Sequence, residues 1–334
     1  MKTILVTGGA GFIGSNFVHL IRKQRPDWKI VVLDKLTYSG RKENLADVLC
    51  DGQVEFIKGD ICNEKAVAKA MQNCEMVFNF AAETHVDRSL QDGTNFVQTN
   101  VQGVHTLLEA ARKVGVQRFL QVSTDEVYGE VNEGFSVETD VLAPRSPYSA
   151  AKAGGELIAH SYFISHDLPV IITRGSNTFG AHQFPEKLIP LFITNALDDK
   201  PLPLYGDGMQ QRDWIYAEDH AAAILVAAEQ GAPGEFYNVG GGNQMTNRTI
   251  TARILELLEK PETLIEQVAD RPGHDRRYAL DCTKLNALGW HPKSTFEDAL
   301  KSTVDWYLAN QTWWRVIKES RSFGEYYQQN YAQR

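Results

Sequence analysis

The chain is poor in cysteine, in positive charge and in long apolar runs. Its four cysteines, Cys50, Cys62, Cys74 and Cys282, show no Cys-x-x-Cys spacing and no associated histidine pattern. A disulfide scaffold and a zinc module are thereby set aside, no metal is expected, and the four read as free thiols of a reducing compartment. Against 42 Asp and Glu stand 34 Lys and Arg, a net charge of −8. That balance argues against a nucleic-acid partner, which needs clustered cations. It leaves room for an anionic ligand held by a few local cations and helix N-termini. No apolar run reaches the ~20 residues that span a bilayer. Met1-Lys2-Thr3-Ile4-Leu5-Val6 enters a strand directly, without the charged leader and apolar core of a signal peptide. No membrane and a cytoplasmic location are therefore expected.

What is present is an alternation of apolar strand runs with helical patterns over the first half of a 334-residue chain. Thr3 to Thr7 leads into Gly8-Gly9-Ala10-Gly11-Phe12-Ile13-Gly14, and a helical pattern runs from about Phe12 to Lys23. Glycines at 8, 11 and 14 between a strand and a helix suit a tight turn that lets a pyrophosphate approach the helix N-terminus. The next run, Lys29 to Leu33, ends at Asp34, placed to grip the ribose hydroxyls of NAD and to repel the extra phosphate of NADP. Lys35 and Arg41 nearby leave that second point open. Further units follow: Val54 to Ile57 before Asp60-Ile61, a helix at about Glu64 to Met71, and Met76 to Phe80 before Ala81-Ala82. A long helical pattern covers about Asn95 to Val114, and Arg118 to Val122 supplies another strand. This rhythm predicts a Rossmann-like, doubly wound parallel sheet in an α/β fold. Asp60, Ile61, Ala81 and Ala82 fall at strand ends, where they would line the adenine and ribose side of a dinucleotide. After Leu168 to Thr173 the rhythm breaks, which sets a soft boundary near Arg174. Residues 1–174 would bind the dinucleotide, with some later segments returning to them. Residues 175–334 would form a smaller, mixed α/β region for the substrate.

Two further stretches carry chemistry. Val122-Ser123-Thr124-Asp125-Glu126-Val127-Tyr128-Gly129 places a hydroxyl and two adjacent carboxylates at a strand end. These are either solvated turn residues or an acid and a base. In Pro147-Tyr148-Ser149-Ala150-Ala151-Lys152, Tyr148 and Lys152 share one helical face at i and i+4. A lysine beneath a tyrosine would lower its pKa from about 10 and make it a usable base. His85 is open to a ligand role or a structural hydrogen-bonding one. The aromatic tail, Trp313, Trp314, Tyr326, Tyr327 and Tyr331, reads as packing.

With the glycine turn, Tyr148 and Lys152 together, the chain resembles the extended short-chain dehydrogenase/reductases. Ser123 to Gly129, Asp34 to Tyr38, Phe184 to Pro190 and Asp270 to Asp275 resemble, within them, the dTDP-glucose 4,6-dehydratase family. The similarity runs from Met1 to about Tyr326. It implies tightly held NAD as cofactor and a nucleotide-diphosphate sugar as substrate. Lys35, Thr37, Thr99 and Thr178 would join the cofactor residues. By resemblance, Tyr148 takes the C4 hydroxyl proton, Thr124 bonds the same oxygen, Glu126 removes the C5 proton, and a protonated Asp125 donates to the departing C6 hydroxyl. Thr84, His85, Thr124, Asn177, Lys187, Leu188, Pro203, Tyr205, Arg212, Asn247, Arg271 and His274 would hold the sugar nucleotide. Lys187, Arg212 and Arg271 make sense there as cations for a diphosphate.

Three positions depart from the family pattern: Thr84 for a usual Ser, Thr178-Phe179 for Asn-Tyr, and Gly180 to Gln183 for a Gly-Pro-Tyr-His-like run. Family members commonly dimerise through helices matching those near Asn95 and Tyr148, so a homodimer is expected. The same reaction on a UDP-sugar stays open, because no residue separates the two bases. A 4-epimerase or decarboxylase of the same fold has no use for Asp125. A non-catalytic NAD sensor would not need the full proton-transfer set.

Overall fold

The structure, a computed structural model, describes residues 2–270 and 273–332. Its strands are β1 (Thr3–Thr7), β2 (Lys29–Asp34), β3 (Val54–Lys58), β4 (Met76–Asn79), β5 (Arg118–Thr124), β6 (Val170–Gly175), β7 (Asn177–Phe179), β8 (Leu202–Tyr205), β9 (Gln211–Tyr216), β10 (Phe236–Val239), β11 (Gln244–Thr246) and β12 (Ile265–Val268). Seven of them form one sheet in the order β10-β6-β5-β4-β1-β2-β3, every pair parallel. The order reverses between β1 and β4. In open α/β sheets the crevice beyond the strand ends at such a reversal is where ligands bind.

Parallel strands are covered on both faces and so read as continuous apolar runs. Along β1, Ile4 and Val6 pack under the helix Phe12–Gln24 and the helix Ala217–Gln230, while Leu5 between them faces the helices Val104–Val114 and Pro147–His166. A separate core, with Phe179, Leu202, Trp214, Ile254, Tyr307 and Trp314, gathers the later strands and the C-terminal helices. β10 rejoins the large sheet beside β6. Among the described residues, no helix is long and apolar enough to cross a membrane.

Two local departures from the expected pattern matter for the site. The strand before the carboxylates runs two residues further than its apolar run, so Thr124 ends β5 and Asp125–Tyr128 makes a single 3₁₀ turn. The Thr124 hydroxyl caps that turn by accepting the Glu126 N–H at 3.3 Å. The helical pattern at Asn95 to Val114 widens into a π stretch at Gln98–Gly103. Close approach explains the geometry. A Cβ on Gly155 would meet the Asn100 carbonyl at 2.2 Å, and one on Gly103 would meet Ile61 at 2.5 Å. The stretch aims Asn100 at the backbone of Glu83, its side chain donating to the Glu83 carbonyl at 3.0 Å and accepting its N–H at 2.9 Å. π turns recur at functional sites, and this one carries Thr99 into the crevice.

Candidate active site

The glycine turn is built by steric exclusion. Gly8 has φ +67°, and a Cβ there would lie 2.6 Å from the Ala81 nitrogen; on Gly14 it would lie 2.3 Å from the Gly8 carbonyl. The helix that starts at Phe12 has Gly11 as its N-cap, no side-chain cap and no acidic residue in its first turn. Its N-terminal N–H groups and dipole are thus left for an anion. Asp34 accepts the Ala10 N–H at 2.9 Å through Oδ2 and the Leu36 N–H at 2.8 Å through Oδ1. Burial pushes its pKa up while the two N–H groups oppose the shift. A carboxylate has about four acceptor sites, so Asp34 keeps capacity for ribose hydroxyls. The two cations that left NADP open each have an acidic neighbour. Lys35 pairs with Asp60 at 2.7 Å, and Arg41 lies 3.7 Å from Glu43 and over the Trp313 ring. These features fit a dinucleotide without an added phosphate.

One cavity gathers the whole expected cofactor set. Gly8, Gly11, Phe12, Ile13 and Gly14 line it with Asp34 at the end of β2, Lys35 and Thr37 just after it, and Asp60 and Ile61 just after β3. Ala81 and Ala82 after β4, Thr99, Thr178, Tyr148 and Lys152 complete it. Thr84, Thr124, Asp125 and Glu126 line the same cavity at its far end.

Here the two carboxylates part company. Asp125 is buried, its Oδ1 accepting the Thr124 hydroxyl at 3.2 Å and its Oδ2 without a hydrogen-bond partner among the described residues. Burial, then the Glu126 charge, holds its pKa well above the usual carboxylate range, with Arg212 and the Thr124 hydroxyl pulling the other way. Of the pair, Asp125 is the one whose surroundings favour the neutral form. Glu126 is half-buried and faces both this cavity and an adjoining one. Burial first, and like charge at a shared site second, favour such a division.

The redox pair differs from its expected form. Ser146 opens the Pro147–His166 helix with a capping box to Ser149, which sets Tyr148 and Lys152 on one face. Yet the Lys152 Nζ donates to the Val122 carbonyl at 2.6 Å, and the Tyr148 pKa is pushed up, not down. Burial is the main cause and the Glu126 charge the next, against which the Thr124 hydroxyl works. Burial also lowers Lys152 to about 8, with Glu156 opposing. The i, i+4 spacing placed the pair correctly but says nothing about desolvation, which dominates here.

The adjoining cavity takes the expected substrate residues His85, Asn177, Lys187, Leu188, Pro203, Tyr205, Arg212, Asn247 and His274. Arg271 lies outside the described residues. Arg212 comes from β9, its NH2 donating to the Asp275 carbonyl at 2.9 Å and its guanidinium lying 4.3 Å from the Tyr278 ring centre. His85 is buried, with its Nε2 3.1 Å from the Tyr326 hydroxyl and 3.9 Å from Glu186, so both readings of it keep a structural basis.

Several residues escaped the sequence reading. Tyr331 packs against the second core, as expected, and also lines the second cavity, stacking on Tyr205 with ring centres 5.7 Å apart. Only its place in an aromatic tail hinted at this. Glu186 lines both cavities, 3% exposed, paired with Arg88 at 3.0 Å. Arg88 is in turn held between the rings of Tyr38 and Tyr326. His220 lines the cofactor cavity with its Nδ1 2.8 Å from the Thr178 hydroxyl, and burial lowers its pKa to about 4.

Residues 5–303 match the model of the family described as GDP-mannose 4,6 dehydratase. The chain belongs to that family. It is 51% identical to the low-salt glycan biosynthesis protein Agl12 of Haloferax volcanii over 92% of this chain and 99% of that protein. It is 47% identical to a dTDP-glucose 4,6-dehydratase of Streptomyces antibioticus, covering 95% of each. Among solved structures it superposes on the dTDP-glucose 4,6-dehydratase DesIV of Streptomyces venezuelae, determined with NAD bound. There the TM-score is 0.93 at 46% identity, over 95% of this chain and 100% of that one. The expected resemblance and the Rossmann-like fold are both borne out.

Proposed function

We propose that this protein is an NAD-dependent dTDP-glucose 4,6-dehydratase, which converts its substrate to the 4-keto-6-deoxy sugar. The observation that carries the reading is the division of Asp125 from Glu126. One carboxyl is buried, with its pKa held above the usual carboxylate range; its neighbour lines both the cofactor cavity and the substrate cavity. Bound NAD⁺ supplies the hydride acceptor at C4 and the hydride donor at C6. Tyr148 receives the C4 hydroxyl proton, with Thr124 holding the same oxygen. Burial keeps Tyr148 a phenol until a cation comes within reach of its oxygen, and Lys152, still charged at neutral pH with a pKa of about 8, is the chain's own source. The ketone at C4 acidifies C5, and Glu126 removes that proton; a proton returns to C5 when C6 takes the hydride. Asp125 gives its proton to the C6 hydroxyl, which leaves as water. Each such transfer contributes roughly 10²–10⁴-fold.

Asn177, Lys187, Arg212, Asn247, Arg271 and His274 would hold the sugar nucleotide, with Tyr205 against the base. The domain division near Arg174, a homodimer and a cytoplasmic site of action belong to the same proposal. Its test is product analysis with dTDP-glucose and no added reductant. A product lighter by one water, with no net NADH, supports it. Unchanged mass with inverted C4, or no turnover, would overturn it.

A further inference from the structure

Directly behind the acid–base turn lies a buried network that the reaction itself leaves unused. Glu156 sits four residues beyond Lys152 on the Pro147–His166 helix and is 0% exposed; Arg174, on β6, is 3% exposed. Arg174 grips Glu156 through Nε at 3.1 Å and NH2 at 2.6 Å. Its remaining nitrogen, NH1, donates to the Tyr128 hydroxyl at 2.7 Å and to the Glu138 carbonyl at 3.0 Å. Tyr128 closes the turn that begins at Asp125, and its hydroxyl lies 2.7 Å from the Asn238 Oδ1 on β10.

The chain of bonds has only one direction. Arginine can only donate, so the Tyr128 oxygen accepts from Arg174 and must give its own hydrogen to Asn238. Asn238 is then fixed as well, its amide nitrogen donating to the Ser136 and Asp281 carbonyls at 2.9 and 3.1 Å. Stability does not explain such a group. A buried ion pair costs desolvation that well-packed apolar residues would avoid, and its best-attested use is to fix geometry. This one ties together the helix of Tyr148 and Lys152, the strand β6, the edge strand β10 and the turn of Asp125 and Glu126.

We propose that the Glu156–Arg174–Tyr128–Asn238 network sets the Asp125–Glu126 turn against the Tyr148–Lys152 helix, with the Tyr128 hydroxyl as its positioning atom. Tyr128 touches no substrate or cofactor; it acts through the carboxylates of its own turn. The kinetic consequence rests on the dehydratase reading above; the structural one does not.

Tyr128→Phe is the test. It keeps the ring, its packing beneath Val127, Ala153 and Leu280, and its stacking 4.8 Å from the Arg174 guanidinium. It removes only the oxygen. In the purified protein, amide hydrogen exchange over residues 125–129 should quicken about tenfold, the effect of one lost hydrogen bond to a charged group, while the Pro147–His166 helix keeps its protection. In a single turnover of dTDP-glucose, water loss should slow about tenfold while C4 oxidation and KM hold, so reduced nicotinamide accumulates. Asn238→Ser, which takes the acceptor from the other side of the same hydroxyl, should reproduce both effects more weakly. Unchanged exchange at 125–129, or equal slowing of both steps with a general loss of protection, would overturn the proposal. Wild-type protein run alongside separates this from failure of the dehydratase reading, in which wild type itself forms no product.

Discussion

The cofactor wall of the cleft is made largely of backbone, and the substrate wall largely of side chains. On the first, Gly8 and Gly14 press against the Ala81 nitrogen and the Gly8 carbonyl, and an uncapped helix N-terminus faces the space between β1 and β4. On the second, Lys187, Arg212, Tyr205 and Tyr331 reach in from a loop, two strands and the C-terminal segment. The difference follows from what each holds. A pyrophosphate is met by N–H groups and a dipole whose positions the turn fixes. A sugar nucleotide needs partners for its hydroxyls together with cations and an aromatic face, and these last two only side chains supply. Damage to the first wall should therefore act through clashes and strain. Damage to the second should act through lost contacts. The carboxylates stand where the two walls meet and should obey neither rule.

Their substitution carries the largest expected effect. Glu126→Gln should lower dehydration by about 10²–10⁴-fold and abolish exchange of the C5 hydrogen with solvent. Bound NAD should be retained, as measured by its recovery from the purified variant. Asp125→Asn should cost about 10²-fold in turnover yet raise thermal stability. Its carboxyl has a raised folded pKa, so the folded state holds a proton that the unfolded chain gives up. Stability is then lost as pH rises from the ordinary value of 3.8 through the folded one. The melting temperature of Asp125→Asn should exceed wild type at neutral pH, and the gap should vanish below the ordinary value. A gap that does not change with pH would contradict a protonated Asp125.

On the cofactor wall, Gly14→Ala puts a methyl 2.3 Å from a backbone carbonyl that cannot swing away. Strain of about 1–3 kcal/mol should weaken NAD binding roughly 10–100-fold in calorimetry, with substrate KM little changed. The smallest effect belongs to the substrate wall. Tyr331→Ala removes one stacked ring, a pair contribution of about 0.5–1.5 kcal/mol, and should raise KM up to about tenfold while NAD affinity holds. If Tyr331→Ala also released NAD, the division between the walls would fail.

The same difference decides what could be read from the chain. Gly8 to Gly14 and Asp34 lie within 27 residues and Tyr148 and Lys152 within five, so turn chemistry and helical period expose them. Tyr331 meets Tyr205 from 126 positions away, and Arg174 meets Glu156 from 18 and Tyr128 from 46. No local pattern encodes such pairings; they appear only when β6 lies beside β5 and the tail folds back. The electrostatics were hidden for a related reason. The raised pKa of Tyr148 is set first by burial, and burial is a property of the assembled fold. The π stretch at Gln98–Gly103, with Val101 its one large apolar side chain, carries no period that would set it apart from the helical pattern around it.

In the proposed reaction one site oxidises C4, eliminates across C5 and C6, and returns the same hydride. Substrate carrying deuterium at C4, turned over in ordinary water, tests it directly. Deuterium should appear at C6 of the product, with a solvent-derived hydrogen at C5. Deuterium retained at C4, or lost from the sugar, would contradict it.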